Sequence, residues 1–193
     1  MSEPTTVITD YVLGAVSIFL SLRLMGASRF WALAFFALGL GALLGGTWHG
    51  FWQDDLLWKA TTLSVGLASF GMVAGSADAV TTGKLRTGLI AFAAVKLLAY
   101  GAWMLYHDDF IWVVGDTASA LLIVAIVHAW RFNAWILSGV AVSVLAGLAQ
   151  ASGFALHQRF NQNDLYHVLQ IVAMFLFYRG VRACATDGRT PST

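Results

Sequence analysis

Hydrophobic residues in this chain fall into seven long blocks parted by short polar breaks: Val7 to Met25, Phe30 to Phe51, Leu56 to Val80, Leu85 to Tyr106, Phe110 to Trp130, Phe132 to Leu156 and Leu165 to Gly180. About 20 apolar residues carry a helix across a bilayer, and the blocks match or approach that length. Within lipid the backbone can satisfy its polar groups only internally, so each block reads as a helix. The expected fold is therefore an all-α membrane protein, a seven-transmembrane helical bundle. No repeat or linker interrupts the blocks, so a single domain over residues 1–193 is expected, with short tails at 1–6 and 183–193.

Composition agrees with that reading and adds a direction. Of the 193 residues, 59% are hydrophobic and 11% charged, against about 25% charged in a soluble domain. Alternate ends of the blocks differ in charge. One set holds Arg23, Arg29, Lys84, Arg86, Arg131, Arg179, Arg182 and Arg189, with only Asp78 and Asp187 as acids. The other holds Lys59 and Arg159 against Glu3, Asp10, Asp54, Asp55, Asp108, Asp109 and Asp164. Basic residues are retained on the cytoplasmic side, which places the N-terminus outside and the C-terminus in the cytoplasm. Trp48, Trp52, Trp58, Trp103 and Trp112 then form the outer aromatic belt, with Trp31, Trp130 and Trp135 at the inner one. MSEPTTVITD has no basic residue before the first block, so that helix reads as retained rather than cleaved as a signal. Short loops point to a bacterial inner membrane. The single thiol, Cys184, rules out an internal disulfide framework and reads as a buried or interfacial side chain.

Small residues four apart, Gly41 with Gly45, Ala42 with Gly46 and Gly71 with Gly75, would let the second and third helices approach their neighbours closely. The same faces suit a homodimer. Nothing in the chain points to nucleic acid as a partner.

Ionisable residues at membrane depth are costly, and they mark candidate chemistry. Lys96 sits midway along the fourth block and Asp116 a few residues into the fifth. Adjacent helices put them within reach of an ion pair, which would neutralise both charges inside the bundle or serve a proton or substrate route. A second group gathers at the acidic ends. GGTWHGFWQDD places Thr47 and His49 at the end of the second helix, with Asp54 and Asp55 opening the third. HQRFNQNDLYHVLQ places His157 after the sixth helix and Asn163, Asp164, His167 and Gln170 on the first turns of the seventh. Three- and four-residue spacing makes the last four one polar stripe, which should face inward. His49 and His167 could then meet carboxylates at one depth, a donor set that suits Zn²⁺. His107 and His128, at helix ends, read as interfacial.

These residues carry a family resemblance. The seven spans together with TWHGFWQDDL and NDLYHVLQ resemble the alkaline ceramidase and CREST superfamily of intramembrane metal-dependent lipid hydrolases, which includes the PAQR receptors. His49 matches that family's histidine on helix two, Asp54 its aspartate opening helix three, and His167 the last histidine of its H-x3-H pair. Gly45 stands where the family has serine, and Asn163 where it has the other histidine. The resemblance implies a zinc-dependent hydrolase of a lipid amide or ester, with His49, Asp54, His167 and His157 as candidate ligands. Asp164 is the candidate proton acceptor and Thr47 the candidate hydroxyl. Two rivals stand beside it: a small proton-coupled transporter using Lys96, Asp116 and Gln150, and a non-catalytic membrane binding protein on the same scaffold. Rhodopsin-like retinal binding is disfavoured, because the seventh helix has no lysine.

Overall fold

The computed structural model describes residues 4–158 and 160–186. Glu3, Arg159, Asp187 and Arg189, which entered the charge count, lie outside the described residues. Seven helices follow one another: α1 (Pro4–Leu24), α2 (Arg29–Gly50), α3 (Asp55–Val80), α4 (Gly83–Met104), α5 (Phe110–Arg131), α6 (Ala134–Ala151) and α7 (Gln162–Thr186). All seven are long and apolar enough to cross a membrane. The chain is thus an all-α, multi-pass membrane protein. Two expected boundaries move. The tail at 1–6 is in part helix, since α1 starts at Pro4 and Thr6 is fully buried. The sixth block is trimmed at both ends, and the bundle closes with an α7 that runs on to Thr186.

Side chains set several of these limits. Ser28 accepts from Trp31 N before α2, and Asn133 accepts from Ile136 N before α6. Asp54 accepts from Leu56 N and Leu57 N before α3. Such caps satisfy amide groups that a helix start leaves unbonded. At the other kind of end, Lys59 on α3 donates to Met104 O and His107 O and pairs with Asp108 at 2.5 Å. It thereby closes the carbonyl end of α4.

α1 packs on α2 and α7, α2 on α3, α3 on both α4 and α5, α5 on α6, and α6 on α7. Six helices close a ring in the order α1, α2, α3, α5, α6, α7, and α4 lies against the outside of α3. Small residues permit the tightest crossings. A Cβ on Gly71 would stand 2.8 Å from Ala34 N and Phe30 O, and one on Gly46 2.8 Å from Asp10 Cβ. The Gly41 and Gly45 face turns to α3, where added Cβ atoms would meet Thr61 and Ser64 at ordinary distances of 3.4–3.5 Å. The expected close approach of α2 is therefore divided between two neighbours.

The apolar core fills one end of the ring. Leu20, Leu24, Trp31, Phe35, Val124, Ile136 and Phe177 meet there, with Trp31 and Phe177 at 5.5 Å between ring centroids. This lower end is where α1 stops and α2 starts. The upper end, where α1, α3 and α7 start and α2 stops, is filled by polar groups.

Candidate functional site

On α1 the buried face carries Thr6, Asp10, Ser17 and Ser21, spaced by four, seven and four residues. A helix places such positions on one side, so the polar stripe faces the bundle rather than lipid. On α7 Asp164, His167 and Gln170 are all buried, as their spacing predicts. The two stripes meet because α1 packs directly on α7.

The centre of the meeting is His167. Its Nε2 lies 3.1 Å from Asp10 Oδ1, and its Nδ1 lies 3.0 Å from Thr9 Oγ1. Asp10 is 4% exposed and His167 8%. Burying a carboxylate is expensive without a partner, and the imidazole supplies one. His49 arrives at the same upper end, in the last turn of α2. Its ring also stands edge-on to Trp48 at 5.2 Å. Helices α2 and α7 thus bring one imidazole each to the upper end of the bundle.

Asp164 sits beside this centre in a helix-starting role. Asn161 Oδ1 accepts from Asn163 N (2.8 Å) and Asp164 N (3.2 Å), while Asp164 Oδ2 accepts from Asn161 N at 2.7 Å. This reciprocal arrangement caps α7. Asp164 Oδ1 is left 3.4 Å from Thr9 Oγ1. Thr47 Oγ1 donates to Leu43 O at 2.7 Å, and Tyr11 OH approaches it at 3.1 Å. Thr47 is thus tied to its own helix and to α1, and no bond joins it to an imidazole among the described residues. Asn163 accepts from Gln150 Nε2 at 3.3 Å, and Gln170 accepts from Ser143 Oγ at 3.2 Å, so both stitch α7 to α6.

Two candidate ligands lie elsewhere. Asp54 is exposed as the cap of α3, and His157 is exposed in the α6–α7 connection, where its backbone pairs with Phe160. Among the described residues no three His, Cys, Asp or Glu side chains are gathered closely enough to hold a metal ion.

The chief residue missed in the sequence is Asp10. It enters there only the charge count of the acidic helix ends, whereas the structure buries it on α1 against α2 and α7. Its signal was available in the Thr6, Asp10, Ser17, Ser21 stripe. His128 is a further correction: it is 1% exposed rather than interfacial, with Nε2 3.2 Å from Ser76 Oγ. Lys96 and Asp116 do pair. Lys96 Nζ contacts Asp116 Oδ1 and donates to Asp116 O at 2.9 Å, while Asp116 Oδ2 is buried with no hydrogen-bond partner among the described residues.

These features define a multi-pass, seven-helix membrane protein with a buried histidine–carboxylate site between α1, α2 and α7. A family model described as a family of unknown function, DUF6962, matches residues 5–186, and the chain belongs to that family. No curated protein and no solved structure matches it.

Proposed function

We propose that this protein is an intramembrane hydrolase of a lipid amide or ester, working at the Asp10–His167 pair on the non-cytoplasmic side of a cell membrane. The observation that carries the reading is His167 held between a buried carboxylate and a hydroxyl. An imidazole braced by a carboxylate is a proton acceptor of fixed orientation, the group that hydrolysis of an acyl bond needs. Depth supports a lipid substrate. Asp10 lies about 9 Å, and His167 about 8 Å, below the start of its helix at 1.5 Å per residue. The linkage between headgroup and acyl chain lies at that boundary of water and hydrocarbon. Beside the end of α2, a surface depression of about 650 Å³ lined by Phe51, Trp52, Leu56 and Leu57 offers apolar walls for a chain.

Asp10 holds the ring and balances the imidazolium that forms on proton uptake. His49 adds a second nitrogen at the same end, and the tight α1–α2 crossing at Gly46 seats Asp10 against α2. Zinc, which the resemblance implies, finds no three His, Cys, Asp or Glu side chains gathered to hold it among the described residues, and His167 with Asp10 carries the proton transfer.

Turnover of a panel of N-acyl and O-acyl lipids by purified protein, with metal content measured in parallel, tests both parts. The hydrolase reading expects turnover that falls about 100-fold or more in His167→Ala. A panel left wholly intact by the unmutated protein removes it. Stoichiometric zinc lost from the His49→Ala, His167→Ala double variant would add the metal; an active protein free of metal would remove it.

The unpartnered Asp116 Oδ2 favours one other reading, a proton-coupled carrier in which that oxygen takes up the proton. Proton flux into proteoliposomes, abolished by Asp116→Asn, is its test; proteoliposomes without flux exclude it.

A further inference from the structure

The geometry points to Thr9 as the nucleophile of this site, an inference that rests on the hydrolase reading. Nδ1 of His167 lies 3.0 Å from Thr9 Oγ1, and Nε2 lies 3.1 Å from Asp10 Oδ1, so hydroxyl, imidazole and carboxylate form one chain. Proton placement follows from the acceptor at its far end. An ionised carboxylate can only accept, so Nε2 carries the ring proton and donates it to Asp10. Nδ1 is then a lone pair facing Thr9, whose O–H is the donor. The other groups near that hydroxyl, Thr6 O at 3.0 Å and Asp164 Oδ1 at 3.4 Å, are acceptors as well. Nothing among the described residues donates to Thr9 Oγ1, which leaves its lone pairs available for attack. Asp10 and His167 are buried, while Thr9 is half-buried and is the member of the chain open to a substrate. The hydroxyl expected of Thr47 is supplied instead from α1.

The reaction divides into two displacements. Thr9 Oγ1 attacks the acyl carbonyl carbon as its proton passes to His167 Nδ1. The carbon's bond to the lipid nitrogen or oxygen then breaks, and that atom leaves with the proton from His167. Water next attacks the acyl-Thr9 ester. Its proton goes to His167 and on to Thr9 Oγ1, and the fatty acid departs.

Full-length protein in detergent micelles, treated with an alkyl fluorophosphonate and followed by intact mass and peptide mapping, tests this. An activated hydroxyl displaces fluoride from the reagent and keeps the phosphonyl group. One adduct is expected, on Thr9, retained in Thr9→Ser and lost in Thr9→Ala and His167→Gln. Hydrolysis of p-nitrophenyl decanoate should fall about 100-fold or more in Thr9→Ala and persist in Thr9→Ser. An adduct mapped to another residue, or none in a protein that turns over lipid, overturns the proposal even if Thr9→Ala fails to fold. Near-normal turnover by Thr9→Ala also overturns it but spares the hydrolase reading, with His167 then activating water. Absence of turnover in the unmutated protein overturns both.

Discussion

Lys96 and Asp116 meet across α4 and α5, two helices that pack on α3 and make little direct contact with each other. Asp10 and His167, by contrast, meet between α1 and α7, which pack directly, and they lie among Thr6, Thr9, Asn161 and Asp164. Both are buried pairs at membrane depth, yet their chemistry differs. The bonds of the lysine all run to one residue, which ties an outlying helix to the ring. The imidazole can take or release a proton, and hydroxyl and carboxylate groups surround it. Burial alone therefore does not set the two pairs apart; the variety of partners around the imidazole does.

Substitutions that break one pair at a time sharpen the contrast. Lys96→Ala should have the largest effect on stability, about 3–5 kcal/mol, because it strands the Asp116 charge in the bundle. The double variant Lys96→Met, Asp116→Leu should recover most of that loss in thermal unfolding in detergent; equal losses in single and double variants would show that the two groups are not coupled. Asp10→Asn should act on rate instead. It keeps a hydrogen-bond acceptor for His167 and removes the charge, so turnover should fall about 10²- to 10⁴-fold with little change in the unfolding midpoint. A large stability loss with normal turnover per folded molecule would make Asp10 a second version of Asp116.

Backbone packing forms the next test. Gly71→Ala should destabilise by about 1–3 kcal/mol, because the new Cβ stands against α2 backbone atoms at 2.8 Å. Gly45→Ala meets only Thr61 at 3.5 Å and should be near neutral, and similar losses at both would show that the α2–α3 crossing is not set by these glycines. Among the destabilising changes the mildest is Asp54→Ala, about 0.5–2 kcal/mol for a lost helix cap. Metal content unchanged in that variant agrees with a capping role; loss of bound zinc would place Asp54 in a metal site.

Several features were legible before any tertiary contact. Seven apolar blocks had to become helices because lipid offers the backbone no other partners. The three- and four-residue spacing of Asp164, His167 and Gln170 put them on one face, and that face is buried. Lys96 and Asp116 were matched through adjacent helices and a short turn. Other assignments failed for a physical reason. Asp54 and Asp10 are both acids near an upper helix end, and local sequence does not tell which is capping in water and which is buried. Thr47 and Thr9 differ in the same way: each can bond back to its own helix, and only Thr9 also faces an imidazole.

The sequence by itself determined the number of spans, their order along the chain and the inward face of α7, because these follow from apolar blocks and helical period. Only the tertiary structure decided that α1 lies between α2 and α7, and so that Asp10 and Thr9 reach a histidine more than 150 residues away. The seating of α1 against α2 uses small side chains such as Gly46, a matter of three-dimensional packing that no local pattern contains.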